Sequence, residues 1–229
     1  MHQPILTSLF LKIYQNIFRS LSINGPLIIL YWVCMSLDSL VSKPGVRALG
    51  IAESFRLDLK HSILVGVVMR SDGVIDGVAL GRTTVGGLDA TDAIINLYRS
   101  LNRNDIQLLM IDGCIISWYN IIDLERLSSE LGLPIMCLTF EEPEGDVVNA
   151  LRKLFPGDSE VRIRLYEKLG KPKEVLLPGG LRIYVRITGI DYRTARTIIR
   201  KFVREGKRPE PIRVARLIAN ALLNYVKAP

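Results

Sequence analysis

Asp112 closes a short apolar run, Ile106-Gln-Leu-Leu-Met-Ile-Asp-Gly113, and Glu53 follows a second, Val46-Arg-Ala-Leu-Gly-Ile-Ala52. A buried strand that ends on a carboxylate delivers it to the carboxyl rim of an α/β sheet, where ligands and chemistry collect. Gly113 lets the backbone turn sharply away from that rim. If the two strands are neighbours, Glu53 and Asp112 converge, and converging carboxylates hold a hard divalent cation. The plainer role for Asp112 is a turn-forming Asp-Gly, and for Glu53 a polar rim residue.

Phosphate chemistry has its own candidates. Arg193, Arg196, Arg200, Lys201, Arg204, Lys207 and Arg208 form the densest basic stretch. Arg193, Arg196 and Arg200 recur at three and four, so they share one helical face. Such a face can track a phosphate backbone, with Tyr192 beside it for stacking, or it can simply be solvated. Arg213 joins this set, although Glu210 stands three residues before it as an alternative partner. Trp118-Tyr119-Asn120 follows Asp112 closely, to line a pocket or to cap the core. Residues 151–229 carry 19 Lys+Arg against 7 Asp+Glu, and residues 1–150 carry 11 against 16. An acidic rim facing a basic half suits a metal-dependent site that handles a polyanion.

The elements that must position these residues follow from periodicity. Strands are expected over 46–52, 63–69, 74–85, 106–112, 133–140 and 181–188, the first three joined through turns such as Ser71-Asp72-Gly73. Helices are expected over 90–101, 121–131, 146–154, 159–169, 192–204 and 212–226. Asp89 is placed to cap the first of these by accepting a hydrogen bond from the amide of Asp92. Gly132 provides a normal stop for the second. The order strand, strand, strand, helix, strand, helix, strand is that of the ribonuclease H-like fold, whose first and fourth strands are neighbours. The fold class expected is therefore α/β, a mixed sheet of five to seven strands flanked by helices.

At 229 residues, 48% apolar and 23% charged, the chain suits one sizeable core and is neither disordered nor a multi-span membrane protein. Cys34, Cys114 and Cys137 show no paired spacing and are expected as free thiols in a reducing cytoplasm. Residues 1–43 read as a leader outside the domain of residues 44–229. The apolar patch from Pro26 to Met35 is short of the ~20 residues that span a bilayer. Lys12 and Arg19 resemble the charged region of a signal peptide, but no small-residue cleavage site follows.

Leu49-Gly-Ile-Ala-Glu-Ser-Phe55, Gly87-Leu-Asp-Ala-Thr-Asp92, Ile111-Asp-Gly-Cys114 and Arg208-Pro-Glu-Pro-Ile-Arg-Val-Ala215 resemble the archaeal endonuclease V-related family, the domain of unknown function numbered ninety-nine. The likeness runs over about residues 44–226. That family is similar in turn to endonuclease V, a ribonuclease H-like enzyme that uses magnesium to cut nucleic acid near deaminated adenine. The resemblance implies that Asp112 matches the second-strand catalytic aspartate. Ala52 aligns with the first-strand aspartate, and Glu53 stands one position along, on the other strand face unless a bulge intervenes. Asp89 or Asp92 takes the place of the enzyme's catalytic glutamate. Its lysine and histidine fall near Thr139 and Ile190, and its base-sensing loop has no counterpart before Asp89. The function implied is a Mg2+-dependent endonuclease, with Mn2+ as the alternative ion and DNA or RNA as substrate. Asp112 and Glu53 would be catalytic, and Glu53, Asp112, Asp89 and Asp92 the metal ligands. The competing expectation is a nucleic-acid-binding protein that kept the fold without the chemistry.

Overall fold

The computed structural model describes residues 40–41, 43–142 and 145–226. The expected leader, residues 1–43, lies almost wholly outside the described residues.

The first three strands are a meander. β1 (Arg47–Ser54) pairs antiparallel with β2 (His61–Arg70), in unbroken register from Arg47 opposite Arg70 to Ser54 opposite Ile63. β2 pairs with β3 (Ile75–Thr84) through the Ser71-Asp72-Gly73 turn, where Gly73 at φ 98° closes the hairpin. After α1 (Ala90–Ser100), β4 (Leu108–Asp112) returns parallel to β1, Ile51 standing opposite Ile111. β5 (Ile115–Ile116) and β6 (Asn120–Ile121) make a small hairpin just beyond Asp112, and α2 (Leu124–Leu131) follows, stopped by Gly132 in the left-handed region. β7 (Ile135–Thr139) lies parallel to β4 on its other side. Then come α3 (Val147–Leu154), α4 (Ser159–Lys168), β8 (Lys173–Leu176), β9 (Arg182–Thr188), α5 (Tyr192–Phe202) and α6 (Glu210–Tyr225). The large sheet has seven strands in the order β3-β2-β1-β4-β7-β9-β8.

Two cores sandwich this sheet. Leu49 and Ile51 of β1, Leu64 of β2 and Leu109 and Ile111 of β4 pack with Ile94, Leu97 and Leu127 of α1 and α2. On the other face Ala52, Val65, Val67 and Met69 meet Ala215 and Ala219 of α6. Gly50 is what lets α6 lie so close: a Cβ there would stand 2.3 Å from the carbonyl carbon of Pro211.

Three expectations need correction. Cys114 and Cys137, expected as separate thiols, are joined by a disulfide. Cys114 lies just past β4, and Cys137 pairs with Ile111 on the adjacent strand, so partners 23 residues apart in sequence meet in space. The thiol argument for a reducing compartment goes with them. The second helix starts at Leu124, because Ile121 belongs to β6. The short edge strand β8 was not foreseen, since only Val175 of its four residues is buried. No helix among the described residues is long and apolar enough to cross a membrane.

Candidate functional site

The parallel pairing of β1 and β4 ends both strands at one rim, as the spacing of Glu53 and Asp112 predicted. Their side chains, however, leave on opposite faces. No bulge interrupts β1, so Glu53 stands opposite Leu64 and turns to the α1 side with Leu49 and Ile51. Asp112, one residue beyond Ile111, turns to the α6 side, the side on which Ala52 packs.

On the α6 side, Arg216 Nη1 donates to Asp112 Oδ2 at 2.9 Å, and Arg208 Nε stands 3.8 Å from the same oxygen. The Asp112 side chain is only 9% exposed. Arg208 lies over Phe140, its guanidinium carbon 4.4 Å from the ring centre, and Lys207 Nζ donates to the Phe140 carbonyl at 3.1 Å. Asp112 is thus the anion between two guanidiniums.

On the α1 side, Glu53 accepts from the Ser117 amide at 3.2 Å, and the Ser117 hydroxyl lies 3.1 Å from its other oxygen and 2.7 Å from the Ser62 hydroxyl. Burial pushes the Glu53 carboxyl above its usual range, against the two Ser117 contacts and the positive field of Arg216, while the charge of Asp112 adds to the rise. Glu53 therefore feels both members of the Asp112–Arg216 pair across the rim. Ser117, Trp118 and Tyr119 hold left-handed backbone angles in succession, φ 44°, 59° and 64°. Strain of this kind in non-glycine residues persists only where surrounding contacts fix it. Here Arg162 fixes it: the guanidinium donates to the carbonyls of Gly86, Gly87 and Tyr119 and to both oxygens of Asp158, 3.9 Å over the Phe155 ring. Trp118 packs on that same ring, so the aromatic pair caps the core.

Asp89 is not the cap that spacing suggested. Its carboxylate accepts instead from the hydroxyls of Thr83 (2.6 Å) and Thr84 (2.8 Å) and from the Asn120 amide (2.7 Å). Burial works against its ionisation, but these bonds win and hold the carboxyl below its usual range. Asn120 Oδ1 takes over the capping by accepting from Ala90 N at 3.0 Å. Asp92 pairs with Arg126 on an exposed surface.

The four acids therefore do not form one ligand set. Among the described residues no three His, Cys, Asp or Glu side chains gather closely enough to hold a metal ion. Asp112 remains of the right kind for a smaller demand. Magnesium usually keeps several waters and takes one or two carboxylates, with substrate phosphates completing its shell.

The basic residues divide as well. Arg208 and Arg216 flank Asp112 and Lys207 bonds the Phe140 carbonyl, whereas Lys201 bonds the Val41 carbonyl and Arg204 bonds the Ser71 carbonyl beside Val46, at the opposite end of β1. Arg193 and Arg196 are exposed on α5, and Arg200 donates to the Leu176 carbonyl. Arg213 is tied to Glu210 at 2.6 Å. Arg162 and Arg216 were not foreseen: each reads in sequence as one more helix-surface arginine.

Strand order and rim define a ribonuclease H-like protein of the endonuclease V type. The chain belongs to the family described as Endonuclease dU, whose sequence profile matches residues 44–223. A UPF0215 protein of Pyrobaculum calidifontis is 43% identical over 178 residues, 78% of this chain and 97% of that one. A second UPF0215 protein, from Thermococcus kodakarensis, is 38% identical over 187 residues, 79% and 94% of the two chains. Among solved structures, a protein of unknown function from Archaeoglobus fulgidus superimposes with a TM-score of 0.68 at 25% identity, over 77% of this chain and 98% of that one. Endonuclease V of Ciona intestinalis, in complex with DNA containing an inosine, gives 0.55 at 12% identity, over 89% and 100%. Human ENDOV gives 0.55 at 17%, over 80% and 87%. The last two speak for the fold alone.

Proposed function

We propose that this protein binds nucleic acid and hydrolyses a phosphodiester bond at the Asp112 rim, with Mg2+ or Mn2+ as its ion. One observation carries the reading: in a chain of this family, β1 and β4 end side by side with Asp112 held between Arg208 and Arg216. A carboxylate in a cationic surround suits a polyanionic substrate that arrives with its own counter-ions. Asp112 would offer the ion one carboxylate, with water and substrate phosphate oxygens completing its shell. A hard divalent ion there would supply water activation and leaving-oxygen stabilisation. Glu53, turned to the α1 face toward Ser117, stands apart from it. Arg193 and Arg196 would meet the phosphate backbone beyond the rim. The family's name makes deoxyuridine the first base to test, and the inosine in the DNA of the Ciona complex the second. Such a substrate is met in the cytoplasm.

A second reading is binding without cleavage. Ala52 favours it, because the β1 position that shares the α6 face with Asp112 carries no carboxylate. The two separate on DNA containing deoxyuridine or inosine, incubated with the full chain and Mn2+ or Mg2+. The expected result is metal-dependent nicking that Asp112→Asn abolishes while binding persists. Salt-sensitive binding with no nicking in any metal selects the second reading, and absence of both overturns the two together.

A further inference from the structure

Arg208 carries a donor with nothing to donate to. Its Nε is buried and has no hydrogen-bond partner among the described residues, although the side chain as a whole is 36% exposed. A buried N–H left without an acceptor costs about 1–3 kcal/mol. Asp112 Oδ2, at 3.8 Å, is beyond hydrogen-bond reach, and Arg216 already holds that oxygen at 2.9 Å. The Arg208 guanidinium rests over Phe140, and the Arg216 side chain is 47% exposed. Two guanidiniums thus face one rim, one of them lacking an acceptor, and the single carboxylate between them leaves the pair with an excess positive charge.

We propose that Arg208 and Arg216 form a clamp for one phosphate group of a nucleic-acid strand, seated beside Asp112. The inference rests on the nucleic-acid reading above and names the residues that grip the strand. A phosphate meets the exposed parts of the two side chains, 36% of Arg208 and 47% of Arg216. The planar guanidinium fork matches phosphate in two-point geometry. The buried Nε gains an acceptor only as the Arg208 side chain shifts on binding. Without a strand, Asp112 keeps Arg216 turned toward the rim. Lys201 and Arg204, held at the other end of β1, take no part.

The test is fluorescence anisotropy of the full chain with a short single-stranded DNA bearing phosphorothioate linkages, free of divalent metal and across a salt series. Arg216→Gln and Arg208→Gln should each weaken binding severalfold and lower the slope of log K against log salt by about 0.7, the value of one single-strand phosphate contact. Arg208→Lys keeps the charge but not the fork, so it should lose affinity at unchanged slope. Arg99→Gln, on a remote surface beside Glu130, should alter neither. Melting curves establish that each variant is folded. Wild-type affinity and slope in folded Arg216→Gln and Arg208→Gln would overturn the clamp. So would an Arg216→Gln protein whose only change is tighter Mn2+ binding, which would make Arg216 the counter-ion of Asp112 and nothing more. Nicking is not needed for any of these readouts, so the clamp and the nuclease reading can fail separately.

Discussion

Burial opposes the ionisation of Glu53 and lifts its carboxyl above the usual value of 4.5 despite the Ser117 contacts and the nearby Arg216. When folding raises the pKa of an acid, the folded state binds the proton more tightly than the unfolded chain does. Its contribution is then fully present below 4.5 and is lost as pH rises through the higher folded value. Glu53→Gln keeps an oxygen for the Ser117 amide and removes the titration. Its melting temperature should exceed that of the wild type by a margin that grows as pH climbs from 4.5 toward neutrality and then levels off. A margin that stays constant over that span would show that Glu53 is not the group being titrated. Asp89 has the opposite sign: its bonds to Thr83, Asn120 and Thr84 hold the carboxyl below 3.8, so its contribution is present above that value and lost as pH falls. At this scale the sequence disclosed which carboxylates end strands. It disclosed their faces too: Glu53 stands one position past Ala52, and with no bulge in β1 that single residue turns it to the opposite face.

Elements decide what those residues can reach, and the turn that carries Ser117 depends on a helix far along the chain. Arg162 of α4 joins the β3–α1 turn at Gly86 and Gly87 to the β5–β6 turn at Tyr119, and the Gly86 amide donates to the Ser117 carbonyl at 2.7 Å. Lysine offers a point charge where five fork donors are in use. Arg162→Lys should therefore destabilise the protein by about 3 kcal/mol, the scale for breaking a buried charged network. The Gly86 amide should also exchange its hydrogen faster than the global loss of stability explains. Exchange that rises uniformly over the whole domain would assign Arg162 to general stability and leave the turn to hold itself. Asp158 and Arg162, four apart on one helix, look in sequence like an ordinary surface pair; the carbonyls that bury Arg162 come from two remote loops. Local pattern also hid the Cys114–Cys137 bond, which depends on β7 lying beside β4. The meander of β1 to β3 and the return of β4 beside β1 were legible, because apolar runs and turn residues write them locally.

Taken as a whole, the molecule carries a net charge of +7, yet its cations are parcelled out. Many arginines spend their charge on neighbouring carboxylates, as Arg126 does with Asp92 and Glu130, and Arg213 with Glu210. Arg193 and Arg196 lie exposed on α5 and form no ion pair among the described residues, while Arg208 and Arg216 gather at Asp112 on a different element. If one strand spans both groups, the phosphate contacts at each release counter-ions independently. Separate sites without shared partners add. Arg193→Gln with Arg196→Gln should lower the salt slope for a long single strand by about 1.4, two contacts at ~0.7 each. Combined with Arg216→Gln, the fall should reach about 2.1 on the same scale. A strand too short to span the sites should register only the loss at Asp112. Equal losses for short and long strands would mean that the α5 arginines act through the long-range field alone, in which case their effect should vanish once added salt brings the Debye length, ~10 Å at 0.1 M, below their distance from the strand.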